Sequence, residues 1–247
     1  MAIHYIFLGS SYKTGKRIAL DISSEDKIDE IKVNDTHEYL KENCIMNSIS
    51  IHVIPTESVD FASVKKYDKY FANVSLISTK EEFADLINLD RNLNGLDVAK
   101  YILSRVSCTH LKIQKLTYFC YADYLCKTNK KLFVDTIYAY EKGPIVKGLY
   151  DRYKKTKGEL REDNKSKYSN ENIYFPIRSR ILVAENGIEM LASIDETIDK
   201  YGNMSANELV ALTHKEDSPW SHSGAGKEQY KLIEDEMILK YHINEEI

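Results

Sequence analysis

The sequence predicts an α+β fold, with a small N-terminal α/β unit followed by a mainly α-helical domain. Three observations predict it. Within residues 1–90, short apolar or alternating runs take turns with helical patterns. Residues 109–126 carry two apolar stripes, Leu111, Tyr118, Ala122 and Leu125 beside Ile113, Leu116, Cys120 and Tyr124. Two stripes leave little room for a polar face, so this helix is expected at the centre of a bundle, with no chemistry of its own as the plain reading. Between these regions, Asp90-Arg-Asn-Leu-Asn-Gly95 is polar and turn-rich, and the boundary is placed there. The expected domains are residues 1–90 and 94–247.

In the first unit, residues 2–8 form an apolar strand to be covered on both faces. Arg17-Ile-Ala-Leu-Asp-Ile22 alternates and reads as a second strand. Residues 36–42 are a short helix candidate. Ser50-Ile-His-Val-Ile54 is a third strand, closed by Pro55. Residues 62–71 suggest a helix with Val64, Tyr67 and Phe71 on one side, and residues 74–77 a further strand. Thr79 caps a helix, with Glu82 as the other half of a capping box and Phe83, Leu86 and Ile87 on its apolar face. The stretch Gly9-Ser-Ser-Tyr-Lys-Thr-Gly-Lys16 has some residues of a phosphate loop but not its spacing.

In the second domain, Leu96, Ala99, Ile102, Leu103 and Val106 line one helix face. Thr109 is the N-cap of the central helix, and residues 127–131 form a polar turn. Residues 132–134 and 137–140 are short extended segments. Gly143-Pro144 forces a turn, since proline disfavours helix at the residue before it. A helix resumes over 146–153. Residues 154–172 are dense in polar side chains and read as a solvated loop, docking of an acidic partner being the lesser alternative. Residues 174–183 suggest a strand or an extended connector broken at Pro176. Leu191, Ile194, Ile198 and Tyr201 mark another helix, stopped by Gly202 as a C′ residue. Ser205-Ala-Asn-Glu208 is a capping box opening a helix through Leu212, ended at Thr213 and His214. The loop Asp217-Ser-Pro-Trp220 and Gly224-Ala-Gly226 lead to a last helix through Ile233, Met237 and Tyr241.

A chain of 247 residues, 43% hydrophobic, can bury a substantial core. Residues 1–90 hold 10 basic and 15 acidic side chains, a net of -5. Residues 91–247 hold 24 and 23, a net of +1. Neither half has the basic excess that a phosphate backbone demands, so nucleic acid is disfavoured as main ligand. Cys44, Cys108, Cys120 and Cys126 show no C-x-x-C spacing and read as reduced and buried. No stretch approaches the length of a membrane span or a signal peptide, so a cytoplasmic protein is expected.

The seven histidines lack H-x-x-x-H and H-E-x-x-H spacing. Cys108-Thr-His110 supplies two metal ligands without a second pair. There is no G-x-S-x-G elbow, and neither Ser218 nor Ser221, near His214 and His222, matches a nucleophile context. No cofactor is implied, and no enzyme. Trp220 follows a proline; it either plugs a bundle end with its N–H satisfied or anchors a partner. The 18 tyrosines, many between 118 and 174, favour a protein partner.

Four stretches occur together: Leu96-Asp-Val-Ala-Lys-Tyr-Ile-Leu103, His110-Leu-Lys-Ile-Gln-Lys-Leu-Thr-Tyr118, Ala139-Tyr-Glu-Lys-Gly-Pro-Ile-Val146 with Leu149-Tyr150, and Leu209-x-x-Leu-Thr-His-x-x-x-Ser-Pro-Trp220. In this order, over about residues 94–240, the chain resembles the Panacea domain family, the GepA-like or SocA-like proteins of bacteria and phages. Many relatives have Val where this chain has Ile145. Residues 1–90 fall outside the resemblance. It implies a helical antitoxin domain that neutralises a cognate toxin, encoded in the adjacent gene, by direct binding. N-terminal extensions would set which toxin. A proteolytic adaptor that delivers the toxin to a protease, or a phage counter-defence protein, is the alternative. Lys112, Gln114, Lys115, Tyr118, Gly143, Pro144, His214, Pro219 and Trp220 are then signature positions. Gly143 and Pro144 suit a structural turn, while Lys115 and His214 are equally open to structure or contact. The candidate partner-binding residues are Lys112, Gln114, Lys115, Tyr118, Tyr121, Tyr140, His214 and Trp220.

Overall fold

The computed structural model describes residues 1–12, 14–44, 46–161, 165–167, 174–225, 227 and 231–246, with backbone alone at 47, 165–167 and 174–176. It is a mixed α+β fold in two compact units, one of Met1–Asn92 with Lys167–Phe175, the other of Leu93–Ser166 and Pro176–Ile247.

The first unit is built on β1 (Ala2–Ser11) and β2 (Lys16–Ser24). Helix α1 (Glu30–Asn43), strand β3 (Ile49–Thr56), helix α2 (Phe61–Tyr67), strand β4 (Val74–Ile77) and helix α3 (Lys80–Asn88) follow. The sheet order is β3-β1-β2-β4, with β1 antiparallel to both neighbours and β2 parallel to β4. Alternation along β1 sends Phe7 to one face, where α1 and α3 supply Val33, Leu40, Phe83 and Ile87. It sends Ile6 and Leu8 to the other, against Phe61, Val64 and Phe71. Both faces of β1 are covered, as its apolar run requires. At Thr79 the hydroxyl accepts from the Glu82 backbone N–H.

Several local expectations shift for physical reasons. Helix α1 starts well before residue 36, because Asp29 caps it through the Lys32 N–H, while its first turns bury only Val33. Pro55 lies inside β3, an edge strand, where a missing N–H costs no ladder bond. Helix α2 stops at Tyr67, and a 3-10 turn at Lys69–Phe71, capped by Asp68, re-aims the chain. Tyr67 is therefore 68% exposed while Val64 and Phe71 are buried. The Gly9 to Lys16 stretch ends β1, turns, and enters β2, so it makes no phosphate-binding helix entry.

The second unit starts with α4 (Gly95–Arg105), β5 (Cys108–Thr109) and α5 (His110–Thr128). Thr109 caps α5 through the Lys112 N–H, and Asn129 ends it in a left-handed conformation. Every residue from 113 to 125 is buried, so α5 is covered all round at the centre of the unit. Next come β6 (Ile137–Tyr140), β7 (Gly143–Val146), α6 (Lys147–Tyr153), β8 (Glu159–Leu160), β9 (Lys165–Lys167) and β10 (Tyr174–Pro176). The chain continues through α7 (Ile177–Leu182), α8 (Gly187–Tyr201), α9 (Ala206–Thr213), α10 (Pro219–His222) and α11 (Asp235–Tyr241). Strand β5 pairs with β8, β9 with β10, and β6 with β7. Helices α4, α8, α9 and α11 pack around α5.

Here too the structure corrects the sequence reading. The turn sits at Glu141 and Lys142, while Gly143 and Pro144 open β7. Residues 177–182 are helical, with Ile177 and Ile181 one turn apart in the core. Gly202 occupies the C-cap in right-handed conformation, φ -63°, and is no left-handed C′ residue. Ser218 caps a short helix with Pro219 at its first position, so the Pro-Trp pair is helical. The cysteines are free as expected, but Cys126 is exposed and Cys44 half-buried. The polar stretch 154–172 lies partly outside the described residues, as do Lys13 and Gly226. Among the described residues, no helix is long and apolar enough to cross a membrane.

Candidate partner-binding site

Most of the signature residues converge on one hairpin; Lys112 and Tyr118 reach elsewhere. Lys115 and Gln114 stand on the buried face of α5. The Lys115 Nζ donates to the Pro144 carbonyl at 2.7 Å, and the Val146 N–H donates to Gln114 Oε1 at 2.9 Å. Gly143 has φ +94°; a Cβ there would lie 2.6 Å from Thr213 Oγ1 and 2.7 Å from Lys115 Nζ. Only glycine fits both that conformation and that gap. On the other strand, the Trp220 indole N–H donates to the Tyr140 carbonyl at 2.7 Å. Trp220 stacks on His214 with ring centres 3.8 Å apart and planes 3° from parallel. The outer edge of β6 is closed by residues 231–233, through Ala139 N–H to Lys231 O and Ile233 N–H to Ile137 O.

The hairpin is thus held by α5 beneath and by α9 and α10 beside it. Its tip, Glu141 and Lys142, is exposed, and Tyr140, His214 and Trp220 are half-buried around it. Burial, with the Lys115 charge, lowers the His214 pKa, so the ring is neutral near pH 7 and stacks as an aromatic. Its Nε2 is buried without a hydrogen bond.

The eight candidates divide by exposure. Gln114, Lys115, Tyr118 and Tyr121 are buried, and their polar tips are spent inside the unit. Tyr118 donates to Glu245 Oε2 at 2.8 Å, and Tyr121 to Asp235 Oδ1 at 2.7 Å. Lys112 is half-exposed; its Nζ donates to the Gly202 carbonyl at 2.7 Å, a cation on the C-terminus of α8. His214 and Trp220 remain half-buried as a stacked pair, and the half-buried Tyr140 packs its ring on Tyr150.

A buried polar network escaped the sequence reading. His242, fully buried in the turn His242–Asn244, lies between two carboxylates: Nε2 is 2.8 Å from Asp123 Oδ1, and Nδ1 is 2.7 Å from Glu245 Oε2. The Thr197 hydroxyl donates to Asp123 Oδ2 at 2.7 Å. Burial alone would lower the His242 pKa, but its bonds to Asp123 and Glu245 raise it to about 9. Burial lowers Lys115 to about 7, against the pull of Glu245. Desolvation raises Glu245, while Asp123 is lowered because bonds from His242 and Thr197 outweigh its burial. The available signal was Asp123 itself, a lone carboxylate in the apolar stretch Cys120-Tyr-Ala-Asp-Tyr124. A second buried pair, Arg180 with Asp97 at 3.1 Å, ties α7 to α4.

Fold and site together define a helical module that organises one displayed hairpin on a heavily buried central helix. Residues 113–221 match the family described as antitoxin SocA-like, Panacea domain. The match begins within α5 and ends in α10, inside the wider span suggested by the motifs. The chain is also similar to the DNA-directed RNA polymerase 30 kDa polypeptide of Fowlpox virus (strain NVSL), 23% identical over 117 residues. That likeness covers 42% of this chain and 64% of the viral protein, less than two thirds of its length. No solved structure matches the chain.

Proposed function

We propose that this protein is an antitoxin that neutralises a cognate toxin, from the adjacent gene, by direct binding in the cytoplasm. The carrying observation is the antitoxin SocA-like domain over residues 113–221. A binding surface at the hairpin tip is supported by the stacked His214 and Trp220 pair, which bonds the Tyr140 backbone carbonyl, beside the exposed Glu141 and Lys142. Aromatic anchors with a charged rim are the usual composition of a protein interface. The acidic N-terminal unit would set partner choice, favouring a basic toxin. Binding, and not turnover, is the proposed activity.

Co-expression with the neighbouring gene's product tests this. A stable complex on gel filtration and rescue of growth are expected; absence of co-elution rejects the reading. The double variant Glu141→Lys with Lys142→Glu leaves the core untouched and is expected to weaken the complex about tenfold or more. The adaptor alternative predicts a shortened toxin half-life only when a protease is present.

A further inference from the structure

We propose that Asp123, His242 and Glu246 form a binding site for a divalent cation, Zn²⁺ by preference, where the C-terminal turn meets α5. This goes beyond the antitoxin reading and does not rest on it. Asp123, His242 and Glu246 each present a ligand atom, all within 4.8 Å of one another. Zinc takes one imidazole and two carboxylates at ~2.0–2.2 Å and keeps a fourth position for water. The supporting groups are already arranged. Glu245 Oε2 accepts from His242 Nδ1, which turns Nε2 toward Asp123 Oδ1. The Thr197 hydroxyl occupies Asp123 Oδ2 and leaves Oδ1 to face the imidazole. A histidine steadied by a carboxylate behind it, and a carboxylate steadied by a hydroxyl, are the outer partners of metal sites. The Glu246 side chain is exposed and held by Lys200 at 3.4 Å, while its backbone carbonyl accepts from Lys215 at 3.0 Å, so the carboxylate can turn inward on an anchored backbone.

Charge points the same way. Three carboxylates, Asp123, Glu245 and Glu246, face one imidazole, with Lys200 and the fully buried Lys115 as the nearby cations. Tyr118 and Tyr201 contribute only neutral hydroxyls, and Glu245 Oε1 is buried without a hydrogen bond. A dication would be held by Nε2 of the neutral ring, with Nδ1–H kept on Glu245.

The test is Zn²⁺ titration of the full chain, affinity tag removed, by calorimetry in buffers of differing ionisation enthalpy. One equivalent is expected. Glu246→Ala, a surface change, should weaken binding tenfold or more with circular dichroism unchanged. No saturable binding overturns the proposal. So does binding that survives Glu246→Ala undiminished. His242→Gln should abolish the remainder; if that variant does not fold, Glu246→Ala alone decides.

Discussion

Gly143 and His242 show what single residues hold in this protein. A methyl at position 143 meets backbone strain at φ +94° and two occupied neighbours, Thr213 and Lys115. Gly143→Ala should therefore cost ~2 kcal/mol or more, read as a lowered urea midpoint with unchanged slope. His242 and Lys115 bear on pH with opposite signs. His242 is raised to about 9, so its contribution is complete below its unfolded value of 6.5 and is lost as pH rises through 9. Lys115 is lowered to about 7, so the unfolded chain binds the extra proton between 7 and 10.5, and stability rises with pH there. From pH 7 to 9 the two slopes oppose. With chelator present, His242→Gln should leave stability rising across that window, and Lys115→Met should leave it falling. Thermal melts at pH 7, 8 and 9 check both, and identical profiles for the two variants would refute the assignment.

Among the elements, the ones with strong local chemistry were legible and the ones set by neighbours were not. Helix α9 follows from its residues alone: Ser205 and Glu208 exchange side-chain bonds with each other's backbone N–H. Ser205→Ala should cost ~1 kcal/mol in the melting of the second unit. Helix α5 was readable from its double stripe and its Thr109 cap. Helix α7 was not: six residues with one proline before them hold too little pattern, and the buried Arg180–Asp97 pair that fixes them is long-range. The hairpin was half legible. Gly143-Pro144 signalled a reversal, but its register depends on Lys115 and Gln114 reaching β7 from another element. The candidate site followed the same division. Its members could be named one by one, while their exposure could not. Helical periodicity says which residues share a face, and says nothing of whether that face is covered.

At the scale of the whole molecule, two separately cored units carry uneven charge, -5 over residues 1–90 against +1 over the rest. If the acidic unit steers a basic toxin, the association rate should fall steeply between about 0.01 and 0.15 M salt, where screening shortens from ~30 to ~8 Å. Stopped-flow mixing reads this, and a salt-independent rate would leave the N-terminal unit without that role. The sequence by itself determined the α+β class and the central helix, because caps, turns and apolar periods are local, and its four signature stretches carried the resemblance to the SocA-like family. Only the tertiary structure decided that Lys115 and Tyr118 are spent in the core, that Trp220 and His214 stack beside one hairpin, and that Asp123, Glu245 and His242 meet. Those groups are distant in sequence, Tyr118 and Glu245 by 127 residues, and burial couples charges that the unfolded chain keeps apart in water.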